Sequence, residues 1–230
     1  MSTAAQQGGV ISTEQLSLFG FSLRSAERLV NQRIWQRLTH GIYQLGTGQP
    51  SWEGLAWAGV FLGGPKSRLG FEAAGHLWEL VEKPPRTITV LVPHGLSLAR
   101  RDCWVFRQER PGTRSNKSPG SPPRTTVEDT ILDLCDSASA RESIGIVTMA
   151  VQGGRTTSGR ILRCVQGRQR VRHRRLLTEL LTEVADRPCE VAWQVGALLA
   201  ARGWAGFPNR CTRCEHASDA DLRGELDGWR

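Results

Sequence analysis

Between residues 22 and 40 the chain carries Ser22, Arg24, Ser25, Arg28, Asn31, Gln32, Arg33, Arg37 and His40. An arginine fork pairs with guanine through two hydrogen bonds, and Asn or Gln does the same with adenine. Arg24, Arg28, Asn31 and Gln32 therefore suit the reading of base edges in a major groove. Ser25 and the amides following Ser22 suit phosphate contact. Arg33, Arg37 and His40 fall where backbone or minor-groove contact is usual. The plainer reading of the same residues is an amphipathic surface helix with a solvated face.

Three other groups have chemistry-bearing spacing. Asp129, Asp133 and Asp136 lie three and four apart and resemble a metal face. Ile131, Leu132 and Leu134 supply the buried side of that helix, so the acids are expected in solvent. Cys211 and Cys214, with His216, make one Cys-x-x-Cys where structural zinc wants four ligands, and Cys189 is a poor fourth partner. Free thiols are the expectation for the six cysteines. Eight arginines lie between Arg155 and Arg175. They form either a phosphate-contacting patch or a solvated helix start and loop. No Ser/His/Asp set, phosphate-binding glycine loop or nucleotide-cofactor motif is present. The expectation is a protein without catalytic residues, metal or cofactor.

The elements that would position the first group can be read in order. Ser12 with Gln15 forms a capping box, Leu16 and Phe19 face inward, and Gly20 ends that helix. Ser22 caps a second helix to about Gln32, with Leu23, Ala26, Leu29 and Val30 as its apolar stripe. Residues 34–38 and 42–45 flank a glycine turn and read as a β-hairpin. Helix, turn, helix, hairpin is the plan of a winged helix-turn-helix. Helices are expected over 51–63, 69–81, 125–138, 140–152 and 173–186, and strands over 86–93 and 103–108. Pro111 to Arg124 reads as a loop. The expected class is α+β. Residues 1–9 form a flexible N-terminus, 10–46 a winged helix-turn-helix, and 50–186 a mixed α+β domain. Residues 187–230 form a divergent tail, disordered or truncated.

The chain has 230 residues and a net charge of +8, a balance that favours a polyanionic partner. The excess is +4 over residues 1–110, +5 over 111–187, and turns to −1 over 188–230. One explanation for that change is a frameshift or truncation near codon 186. No apolar run spans a membrane, and the first nine residues lack a signal-peptide layout. A cytoplasmic location is expected.

Gly9-Val10-Ile11-Ser12, the two helices, Trp35-Gln36-Arg37-Leu38 and His40-Gly41-Ile42-Tyr43 resemble the N-terminal domain of AbiEi-type antitoxins. Residues 122–134 look like the family's later helix, and the resemblance covers roughly 8–186. It implies a bacterial transcriptional regulator that binds double-stranded DNA and represses its own operon. It also implies a nucleotidyltransferase toxin as partner in a type IV toxin–antitoxin system. Similar proteins often continue into a domain resembling the very-short-patch-repair endonuclease, which holds Mg²⁺ in a carboxylate cluster. Asp221, Glu225, Asp227 and Gly228 resemble part of that domain. The strand and helices that should follow are absent before Arg230, so no nuclease is expected. Two alternatives stay open: a degenerate member of the endonuclease-fused branch that retains DNA binding only, and a protein-interaction module that docks onto the toxin.

Overall fold

The computed structural model describes residues 2–186. It opens with a helical turn, α1 (Ser2–Ala5), and a short strand, β1 (Val10–Ser12). Residues 2–9 are thus not the flexible leader expected for 1–9. Ala4 is buried with Ile11, Leu16 and Ala26, and the amides of Gln7 and Gly9 bond back to its carbonyl. Gly8 and Gly9 supply the left-handed backbone that this compact turn needs.

Two helices follow, α2 (Thr13–Leu18) and α3 (Leu23–Asn31). The Ser12–Gln15 capping box forms, and Ser22 caps α3 by accepting from the Ser25 amide at 3.1 Å. At the end of α2, the Phe21 amide bonds Leu16 and the Gly20 amide bonds Ser17, with Gly20 at φ +74°. Strands β2 (Trp35–Thr39) and β3 (Ile42–Leu45) make the expected hairpin. β1 pairs antiparallel with β3, giving the order β1-β3-β2. Three residues are too few to show a period, so β1 carries no strand signal in the sequence. Phe19 and Leu23 depart from the expected inward positions, at 52% and 53% exposure. Both sit at helix ends, and the core takes Leu16 and Ala26 from mid-helix instead.

Helix α4 (Trp52–Gly63) joins this unit to the rest. Val10 and Ile42 of the first sheet share one core with Ala56, Val60, Val90 and Trp104. Two glycines of α4 allow the close approach. A Cβ at Gly54 would lie 2.8 Å from the Gly8 carbonyl oxygen, and one at Gly59 would lie 2.6 Å from Trp104. Residues 10–46 and 50–186 are therefore continuous through α4.

The helix expected over 69–81 is shorter. Arg68–Leu69 form β4, and α5 spans Phe71–Leu77. β4 pairs antiparallel with β5 (Ile88–Pro93), which pairs parallel with β6 (Trp104–Glu109). Every residue from Ile88 to Val92 is buried, so the strand is covered on both faces. Four helices follow among the described residues: α6 (Val127–Ser137), α7 (Ala140–Gln152), α8 (Ser158–Gly167) and α9 (Arg174–Asp186). They enclose Ile131, Leu132, Val147, Ile161, Leu177 and Leu181. α8 adds a helix to those expected from sequence, where arginines dilute its two buried residues, Ile161 and Val165. The α+β class holds. Among the described residues, no helix is long and apolar enough to cross a membrane. The expectations for the tail, with Cys189, Cys211, Cys214, His216, Asp221, Glu225 and Asp227, lie outside the described residues.

Candidate nucleic-acid interface

α3, its C-terminal turn and the β2–β3 hairpin bring the nine predicted residues onto one unit. Ser22, Arg24, Arg28, Asn31, Gln32, Arg33 and His40 are exposed, and Ser25 is half-buried. Ala26 fixes the opposite side of α3 in the core at 0% exposure. The helix therefore presents the polar face the sequence describes. Arg24 and Arg28 enter no ion pair among the described residues.

Several details refine this surface. The Ser25 amide is committed to the cap, and its hydroxyl lies 2.9 Å from that of Ser22, so that amide is not free for a phosphate. Arg33 adopts φ +56° and its amide bonds Val30, while the Ile34 amide reaches Leu29. This is the glycine position of a helix C-terminal motif, filled here by an arginine. Arg37 does not project freely. It pairs with Glu27 of α3 at 3.2 Å and lies 5.8 Å from the Tyr43 ring centre. No local pattern announces the Glu27 contact, because the two partners lie ten positions apart. The Thr13 amide and hydroxyl both donate to the Gly41 carbonyl, which ties the hairpin turn to α2. Arg101 donates to the Thr39 hydroxyl from the other side at 2.9 Å. Leu18, Phe19, Phe21, Leu23 and Ile34 are exposed around the same helices.

The aspartates of α6 overturn their expectation. Asp129 and Asp133 are 1% and 0% exposed, and of the three only Asp136 reaches solvent. Arg114 Nε donates to Asp133 at 2.8 Å, and Arg168 bridges Asp133 and Asp129 at 2.8 and 3.3 Å. Arg168 also donates to the Thr113 carbonyl. Burial would lower the Arg114 pKa, but the bond and charge of Asp133 hold it above its ordinary value. Acids on the core side of a helix are tolerated because guanidiniums meet them there. Burial, with Asp129 nearby, pushes the Cys164 thiol up to about 12.

Six arginines of the stretch, Arg155, Arg160, Arg163, Arg170, Arg172 and Arg175, are exposed as the solvated reading expects, and two are drawn inward. Arg168 is buried, and Arg174 donates to the carbonyls of Val165, Arg168 and Gln169 at the end of α8. Arg160 pairs with Glu128, Arg155 with Glu79 and Arg175 with Glu179. Most of these cations bind the chain's own groups. Cys103, Cys135 and Cys164 are free thiols. Among the described residues, no group of three His, Cys, Asp or Glu is placed to hold a metal ion.

No family model matches the chain, and no curated protein matches it. Among solved structures it is similar to the crystal structure of the RV2827C protein from Mycobacterium tuberculosis. The TM-score is 0.46 at 11% identity, covering 100% of this chain and 80% of that one. A likeness at that level bears on neither family nor function.

Proposed function

We propose that this chain is a DNA-binding transcriptional regulator, without catalytic activity, that reads double-stranded DNA with α3. The reading is supported by the exposed polar face formed by Arg24, Arg28, Asn31 and Gln32, backed by a buried Ala26 and followed by a hairpin. In this reading α3 enters the major groove, and Arg33 and His40 contact the backbone beside it. Arg37 reaches a phosphate only by leaving Glu27. The resemblance to AbiEi antitoxins extends the proposal to a cytoplasmic repressor of its own operon.

The test is binding of the purified chain to its own promoter across a salt series. The Arg24→Ala/Arg28→Ala variant weakens specific binding by about 1–3 kcal/mol for each lost base contact. Unchanged affinity removes the assignment of α3.

A second reading has its own observation. Leu18, Phe19, Phe21 and Leu23 are large, apolar and exposed in one short segment, as at protein-binding surfaces. They support docking of a nucleotidyltransferase toxin onto the helix-turn-helix. Co-purification of such a toxin, lost on Phe19→Ser, checks it.

A further inference from the structure

A concavity of about 780 Å³ lies at the carboxyl ends of the parallel strands β5 and β6. Such crevices are where open sheets with parallel strands take ligands, and the volume is that of a small-molecule site. Its lining includes Lys66, Arg68, Arg110 and Arg114 against one carboxylate, Glu109. The contact between Arg101 and the hairpin sits at the other end of β6, so this cavity is remote from α3.

Arg68 and Arg114 form the floor, with side chains 5% and 9% exposed. Glu109 accepts both arms of the Arg68 fork, at 2.7 and 3.1 Å, and lies 3.6 Å from Arg114. Lys66 and Arg110 stand exposed and enter no ion pair among the described residues. The rim therefore carries uncompensated positive charge above a floor whose charges are matched.

Two further observations point to the same place. Lys66 and Phe71, on either side of β4, both hold left-handed backbone, at φ +68° and +54°. Non-glycine residues persist in that region where their surroundings over-determine them, and they cluster at ligand clamps. The Phe71 ring lies under the guanidiniums of Arg107 and Arg114, at 4.5 and 5.4 Å. The wall formed by residues 111–118 is also held firmly. Arg68 donates to the Lys117 carbonyl, Arg168 donates to that of Thr113, and the Ser115 amide donates to Asp129. A fixed wall lowers the ordering cost of binding.

We propose that this cavity binds a small organic oxyanion, bearing phosphate or several carboxylates, held by Lys66 and Arg110 at the rim. The site is independent of DNA reading by α3.

The experiment is calorimetry on the full chain with inorganic pyrophosphate and with citrate, at an ionic strength fixed by sodium chloride. Saturable binding of either anion is expected, and which one binds identifies the ligand chemistry. Lys66→Ala/Arg110→Ala weakens it by about tenfold or more, since each charged contact is of that order, while the melting temperature reports that the variant is folded. Arg24→Ala/Arg28→Ala retains it. The proposal is overturned by no saturable heat with either anion, or by equal affinity in the rim variant. Loss of anion binding in the α3 variant also overturns it, because the anion then sits on the DNA-reading face.

Discussion

Arg33 occupies a position that helix C-termini give to glycine, because a Cβ crowds the left-handed backbone. Its φ of +56° costs about 1 kcal/mol relative to glycine. Arg33→Gly is therefore expected to raise the denaturant midpoint while weakening promoter binding, with one fewer cation in the salt slope. A variant both more stable and equally tight would remove Arg33 from the interface. Asp133 is the opposite case, a residue whose role is stability. Asp133→Ala leaves Arg114 and Arg168 buried without their shared partner, a loss of about 3–5 kcal/mol in urea unfolding. The sequence showed Asp129 and Asp133 and misplaced them in solvent. The spacing of Asp129 and Asp133 marks one helix face, but whether that face meets water depends on Arg114 and Arg168. Those lie 19 and 35 residues from Asp133.

Among the elements, most capped helices were legible and short strands were not; Thr157 caps α8 by the same pattern, but arginines dilute that helix's apolar side. Ser12, Ser22, Ser51, Thr126 and Ser139 each accept from a first-turn amide, a signal contained within four residues. β1 and β4 exist only through pairing with β3 and β5, which no local pattern announces. α4 shows how one substitution takes its sign from packing. Gly145→Ala in α7 meets nothing within 4 Å and should gain about 1 kcal/mol of helix propensity. Gly54→Ala has the same propensity gain, yet its Cβ falls 2.8 Å from a backbone oxygen. Overpacking of that kind costs about 1–3 kcal/mol, so thermal melts of the two variants should shift in opposite directions.

At the scale of the whole molecule, the order of parts could be read from sequence but their joining could not. A hairpin followed by Gly46, Gly48 and Pro50 looks like the start of a linker. The structure instead packs α4 against both sheets, so the candidate DNA-reading unit rests on the second sheet's core. The positive excess over residues 111–187 is likewise redistributed by folding. Arg114 and Arg168 neutralise buried acids, whereas Lys66 and Arg110, from the first 110 residues, enter no ion pair among the described residues and line the far cavity.

The segment from Pro111 to Arg124 has three trypsin sites, Arg114, Lys117 and Arg124, within a run of prolines and glycines. It has the composition of a cleavable connector. Yet Arg114 is bonded to Asp133, the Lys117 carbonyl is held by Arg68, and Arg124 lies 4.4 Å from the Trp78 ring centre. Proteolysis acts on locally opened chain, and here opening the segment breaks its bonds to Asp133 and Arg68. Limited trypsin digestion should therefore spare this segment in the native protein. Asp133→Ala should turn it into the first site cut.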